Sequence, residues 1–318
     1  MTEISVSALR RDLPFGARIR STTRTALADP EVRRQILDLF EARGIIVFEN
    51  VEPTTQMHVA ISDVFGPLKE HPNPAVARVD KDSLPGVIDM HTKAGESGIV
   101  ELDGRRMSAW IPWHFDHCYN DQLNRAGVLR AIEIAPQGGL TGFADGIQLY
   151  EALSPALRSR IERQNIIYKM DVIYSNMRFG KPKGLLEISE KPSARAVNEA
   201  AKHTPRAIHP AVWTRRSGEK VLHVSPWMAQ GIEGQENDQG DALLEAVCQE
   251  IAEKSLAYHH QWQLTDMLIW DNWRMLHSVT GMNPSHSRRM QRTTIKGDYG
   301  LGRFEDGGRR APVLEMTV

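Results

Sequence analysis

Trp113-His114-Phe115-Asp116, near the middle of the chain, is answered far downstream by His277 and then by Arg288 and Arg292. Two imidazoles and one carboxylate can take one face of a divalent iron, leaving the opposite positions open for an organic ligand and oxygen. The arginines that follow suit an anionic co-substrate, because a planar guanidinium holds a carboxylate through two parallel charge-assisted hydrogen bonds. Taken alone, His-x-Asp is a short pattern that also describes a hydrogen-bonded surface pair. The third ligand type downstream, and the cation-rich run Ser287-Arg288-Arg289-Met290-Gln291-Arg292 after it, single the motif out.

Such a motif works only on or beside a strand, where alternate side chains share a face: His114 and Asp116 then point one way and Phe115 the other. Ser108 to Trp113 is rich in aromatic and β-branched residues, and Pro112 argues against a helix, so a strand end or adjoining loop is expected. Leu264 to Asn272 reads as a buried strand ending in a polar turn just ahead of His277, and the arginine run ends in β-prone Thr293-Thr294-Ile295. Upstream, Asp29-Pro30 caps an amphipathic helix through Glu41 that Gly44 ends, followed by a strand at Ile45 to Phe48. Helices are also expected at Thr55 to Val64, at Gln148 to Arg163 with a break at Ser154-Pro155, and at Ala242 to Ser255. Short β-prone runs cover Gly127 to Ile134, Ile166 to Ile173, Ala207 to Trp213 and Val221 to Val224. This grouping is mainly β with flanking helices, an α+β arrangement without the regular alternation of a doubly wound fold. Glycine-rich Ala94 to Gly104 reads as a flexible loop, and 178–201 as a long insertion; either could serve as a lid over the site.

With 318 residues, 41% hydrophobic and 25% charged, the chain can bury a sizeable core. One domain spanning 1–318 is expected, since ligands on either side of the middle segment would be hard to share between independent units. A formal net charge of −1 supplies no field to recruit nucleic acid or an acidic membrane. No stretch has the apolar length of a signal peptide or membrane span, and cytoplasm is the default compartment. Cys118 and Cys248 are too few and too far apart for a disulfide framework.

Taken in order, Gly44-Ile45-Ile46-Val47-Phe48, Phe65-Gly66-Pro67-Leu68, the His-x-Asp motif, His277 and the arginine-rich strand resemble the taurine dioxygenase family of iron(II)- and 2-oxoglutarate-dependent oxygenases. That family includes the aryloxyalkanoate dioxygenases, and the resemblance spans most of the chain. It implies a double-stranded β-helix, or jelly-roll, core, which pattern alone does not give. It makes His114, Asp116 and His277 the iron ligands. Thr141, in Gly138-Gly139-Leu140-Thr141, and Arg288, eleven residues beyond His277, match the pair that binds the distal carboxylate of 2-oxoglutarate.

His71 and Arg292 match positions where sulfonate-using members hold the substrate's anion; a solvated loop histidine, and an arginine bracing the co-substrate or the sheet, are the alternatives. Trp113 and Tyr119, among several aromatic residues near the motif, are candidate walls of a substrate pocket. The implied reaction couples decarboxylation of 2-oxoglutarate, with O2, to hydroxylation of a small, acidic organic substrate such as a sulfonate or aryloxy acid, releasing succinate and CO2. Retention of Asp116 favours hydroxylation over halogenation, because related halogenases have a small residue there. A silent metal-binding jelly-roll sensor and a zinc hydrolase are the other readings of the same ligands; the Thr141 and Arg288 pair favours the enzyme. A homo-oligomer is expected from the resemblance alone.

Overall fold

The computed structural model describes residues 4–69, 78–80 and 84–307. Asp29 starts the first long helix, Pro30–Arg43, by accepting the Glu31 amide hydrogen at 2.9 Å, with Pro30 in the first turn where a missing N–H costs nothing. Val32, Ile36 and Phe40 form its buried stripe, and Gly44, at φ 73°, closes it in the left-handed region. Thr54 caps the helix Thr55–Phe65, which buries Met57, Ile61 and Val64. Both helices cover one face of an eight-stranded sheet.

From edge to edge that sheet runs Val6–Ala8, Ala17–Arg20, Ile45–Glu49, Met267–Asp271, Ala126–Glu133, Arg288–Ile295, Leu84–Thr92 and Arg78–Asp80. Ile45–Glu49 and Met267–Asp271 read as near-continuous apolar runs because both of their faces are buried. Ile46, Phe48, Val128, Met267 and Ile269 meet the helices. Ile45, Val47, Leu268 and Trp270 face inward, toward Phe143 of a second sheet. That sheet has six strands in the order Leu186–Ser189, Ile99–Leu102, Arg105–His114, Met275–Met282, Thr141–Asp145 and Tyr258–His260. Phe143 and Trp270 approach to 5.8 Å between ring centroids, so the two sheets pack face to face as a jelly roll. A third cluster fills the outer side of the six-stranded sheet, beneath the late helix Asp238–Lys254.

The expected helices are present as Pro30–Arg43, Thr55–Phe65, Gly146–Ala152 with Pro155–Ile161, and Asp238–Lys254. The last begins four residues earlier than expected, since Asn237 accepts the amide hydrogens of Gln239 and Gly240. The run Ala207 to Trp213 is divided into Ala207–Pro210 and Val212–Thr214, and Ile166 to Ile173 yields only Asn165–Tyr168 before a bend. Ala94 to Gly104 is not all loop: Ile99–Leu102 pairs with Arg105–His114 across the turn Asp103-Gly104. Nor is 178–201 unstructured, for it carries the strand Leu186–Ser189 and the helix Ala194–Ala201. The two segments pair with one another, Leu186 opposite Glu101 and Ser189 opposite Ile99. Gly98 permits this approach, as a Cβ there would lie 2.7 Å from the Lys191 nitrogen.

Candidate active site

His114 is the last residue of its strand and His277 the third of the neighbouring one, and the two are register partners. Asp116 follows in a turn, with His117 at φ 62° reversing the chain immediately after it. Phe115 turns the other way, as alternation requires, and stacks on His223 with ring centroids 3.8 Å apart. The His114 and His277 rings lie 4.0 Å apart, and their Nε2 atoms are 3.9 and 3.7 Å from Asp116 Oδ1. Two donors on one ion, each bonded at about 2.1 Å, can be no more than about 4.2 Å apart, so both separations fit a shared metal. One ligand atom from each of the three residues lies within 4.8 Å of the others, and all three side chains are buried.

His114 Nδ1 lies 2.9 Å from the Pro112 carbonyl oxygen, so a proton on Nδ1 donates there and leaves the Nε2 lone pair free. Burial, followed by the His277 charge, lowers the His114 pKa to about 3, and the ring is neutral at physiological pH. Burial opposes ionisation of Asp116, but the Arg292 and His277 charges outweigh it and hold the carboxyl well below its usual range. Arg292 Nη1 donates to both Asp116 oxygens, at 3.2 and 3.1 Å, while its Nε is buried without a partner. Arg292 thus lies at the centre of the site rather than in a separate substrate subsite. Trp227 meets the His114 ring edge to face at 5.2 Å, and Tyr174 and then Trp110 continue this aromatic wall at 5.7 and 5.1 Å.

A second cluster lies on the adjoining strands. Arg288 Nη2 donates to Thr141 Oγ1 at 3.2 Å, its Nε donates to the Gly139 carbonyl at 2.9 Å, and Trp262 Nε1 also donates to Thr141 Oγ1 at 3.1 Å. Gly139, at φ 65°, allows the approach, since a Cβ there would be 3.0 Å from Arg288 Cδ. A cavity of about 420 Å³ opens beside Gly139, Leu140, Gln261, Trp262 and Arg288. No acidic side chain among the described residues pairs with Arg288, and burial alone lowers its pKa to about 10. The arrangement offers a preformed cationic socket for a carboxylate.

The remaining candidates are placed unequally. His71 lies outside the described residues. Tyr119 is partly buried near Asp116 and Arg292, and burial pushes its phenol pKa up. Trp113, one step along the strand from His114, lines a cavity of about 450 Å³ together with Trp110, Ser278 and His259. Sequence reasoning missed Trp262, which carries no motif, and Asn272, which holds the backbone of Asp116; only its place in the polar turn before His277 pointed to it.

The family model described as "Taurine catabolism dioxygenase TauD, TfdA family" matches residues 6–294. The chain is 26% identical over 280 residues to the alpha-ketoglutarate-dependent 2,4-dichlorophenoxyacetate dioxygenase of Cupriavidus pinatubonensis, covering 86% of this chain and 92% of that protein. It is 25% identical over 256 residues to the (S)-phenoxypropionate/alpha-ketoglutarate-dioxygenase of Sphingobium herbicidovorans, covering 80% and 83%. A crystal structure of a taurine dioxygenase from Burkholderia xenovorans superposes with a TM-score of 0.67 at 21% identity, covering 98% of this chain and 97% of that one, which shows a shared fold. Among the described residues no helix is long and apolar enough to cross a membrane.

Proposed function

We infer, since the chain belongs to the taurine catabolism dioxygenase TauD, TfdA family, that His114, Asp116 and His277 hold one ferrous ion and that Thr141 and Arg288 bind the distal carboxylate of 2-oxoglutarate. The enzyme is a 2-oxoglutarate-dependent dioxygenase acting on a small organic substrate. The family match lends no support to a zinc hydrolase or a silent metal-binding sensor. The observation that carries the ligand assignment is the convergence of two neutral-capable imidazoles and one ionised carboxylate within reach of a single ion.

When bound, ferrous iron with 2-oxoglutarate and O2 supplies the oxidising power, with succinate and CO2 as products. The chain's share is placement. His114 is held by the Pro112 carbonyl with Nε2 directed to the metal, and Arg292 keeps Asp116 ionised. Arg288 and Thr141 fix the far end of the co-substrate, so its keto acid end is oriented before reaction. Arg292 Nε, buried and unpartnered, is a donor for an anionic substrate head, and the Trp227, Tyr174 and Trp110 wall suits an aryl or other apolar body. Tyr119 is assigned to the same pocket, and the resemblance alone adds His71 as a partner for the anion. An aryloxy acid or sulfonate fits this chemistry.

The two histidines are neighbours in one sheet, which supports a single domain over 1–318. The paired segments 94–104 and 178–201 are assigned as a cover, supported by Lys191 Nζ lying 5.4 Å from the Tyr174 ring. Two buried free thiols and a net charge of −1 accord with a cytoplasmic enzyme of small molecules that binds neither nucleic acid nor membrane; self-association remains part of the reading. A succinate-release screen across sulfonates, aryloxy acids and sulfate esters tests the function. Substrate-dependent succinate from one class, abolished in His114→Ala, is expected. Metal-loaded protein that develops no visible charge-transfer band with 2-oxoglutarate under anaerobic conditions would refute the metal and co-substrate assignment.

A further inference from the structure

We propose that Asn272 is a positioning residue for the metal carboxylate, acting through the backbone of Asp116. The proposal rests on the reading of Asp116 as a ligand. Asp116 lies in a turn beyond the end of its strand, where no ladder pairing is left to fix it. The Asn272 side chain takes over that work: its Oδ1 accepts the Asp116 amide hydrogen at 2.8 Å, and its Nδ2 donates to the Asp116 carbonyl at 3.0 Å. One primary amide thus pairs with both backbone groups of a single residue, as a neighbouring strand would.

The clamp is itself fixed. Asn272 and Asn124 are fully buried, and Asn272 Nδ2 also donates to Asn124 Oδ1 at 3.1 Å and, less closely, to the Asn124 carbonyl at 3.3 Å. The Asn272 amide donates to the Arg125 carbonyl at 3.0 Å, and its carbonyl lies 2.9 Å from His223 Nε2. His223 in turn stacks on Phe115, the residue between the two ligands of the motif. Asn272 therefore ties the turn that carries Asp116 to the strand end that leads to His277, and sets the position of the carboxylate against both imidazoles. His117, in the left-handed region next in the chain, gives the turn a backbone that relaxes once the clamp is released.

Cobalt(II) titration of the apo-protein, followed through its visible ligand-field absorption, tests this without turnover. Asn272→Asp keeps the shape but replaces the Nδ2 donor with an oxygen facing three acceptors, and Asn272→Ala removes both bonds to Asp116. Each should keep a cooperative apo melt, weaken cobalt binding by about 10-fold to 100-fold, and alter the ligand-field spectrum. Ser62→Ala, which removes buried hydrogen bonds to the His58 carbonyl and Thr293 Oγ1 on the helix-covered side of the eight-stranded sheet, should lower the melting temperature and leave cobalt affinity and spectrum unchanged. If neither Asn272 variant folds, His223→Phe, which keeps a ring on Phe115 and removes only the bond to the Asn272 carbonyl, should weaken cobalt binding at least threefold. Wild-type affinity and spectrum in folded Asn272 variants, or in His223→Phe where it is needed, overturn the proposal. Asp116→Ala in the same titration separates the two ideas: if it binds cobalt as wild type does, the ligand assignment itself has failed.

Discussion

Replacing Arg288 with alanine should separate co-substrate binding from folding, because the guanidinium is largely withdrawn from water with no anionic partner among the described residues. Its hydrogen bonds go to the Gly139 carbonyl and Thr141 Oγ1, and burial alone depresses its pKa to about 10. An unpaired buried cation costs the folded state, and alanine removes that cost together with two hydrogen bonds worth about 1 kcal/mol each. The melting temperature should therefore stay within about 3 °C of wild type. Losing one partner of a buried charge pair with 2-oxoglutarate costs about 2 to 5 kcal/mol, a rise in Kd of roughly 30-fold to several thousand-fold. Anaerobic calorimetric titration of manganese-loaded protein with 2-oxoglutarate measures it, and Arg288→Lys should fall between the two. A Kd for Arg288→Ala within threefold of wild type refutes the socket.

Three further outcomes follow from buried features of the fold. Arg274 and Asp145 form a two-point ion pair at 2.8 Å per bond with both side chains almost fully buried, so Arg274→Met should cost about 3 to 5 kcal/mol in urea unfolding; adding Asp145→Asn should recover part of it, and no recovery would mean packing dominates. Gly127 lies under the Trp270 indole, where a Cβ would approach to 2.3 Å, so Gly127→Ala should destabilise by about 1 to 3 kcal/mol and, through the Trp270 contact with His277 at 4.9 Å, weaken metal binding; wild-type metal affinity would break that link. Burial lowers the pKa of His58 and His209 to about 4 and of His223 to about 3, against 6.5 for the unfolded chain. The unfolded state then takes up protons that the fold refuses, so this stability is present above pH 6.5 and is lost as pH falls toward 4, at up to about 1.4 kcal/mol per pH unit for each histidine. Urea midpoints from pH 8 to 4.5 should drop steeply below 6.5, and a flat profile would show the rings protonated in place.

Local signals made much of this legible in the sequence. Asp29-Pro30 and Gly44 bracket a helix through capping chemistry that needs no tertiary partner, and the apolar run Ile45 to Phe48 is a strand buried on both faces. His114 and Asp116 carry both their chemistry and their spacing in three residues. The alternation that turns Phe115 away from His114 applies to Trp113 as well. The Asp103-Gly104 pair, read as loop, is a hairpin signal, with both residues at positive φ between strands. The helix start at Asn237 gives a weak signal, because Gly240 in its first turn is a poor helix former, yet only glycine fits there: a Cβ would meet the Gln235 carbonyl oxygen at 1.9 Å. The contact of Arg292 with Asp116 and the clamp by Asn272 join residues 176 and 156 positions apart, a distance across which one sequence holds no local signal.

The pairing of Ile99–Leu102 with Leu186–Ser189 has a consequence for how substrates enter. Two stretches that look independent along the chain are sewn into one ribbon, hung from the strand that ends in His114. Lifting either alone breaks the hydrogen bonds that bind it to the other. On the proposal that these segments cover the site, opening it is a single swing of the ribbon, and a substitution in either stretch should alter the opening of both.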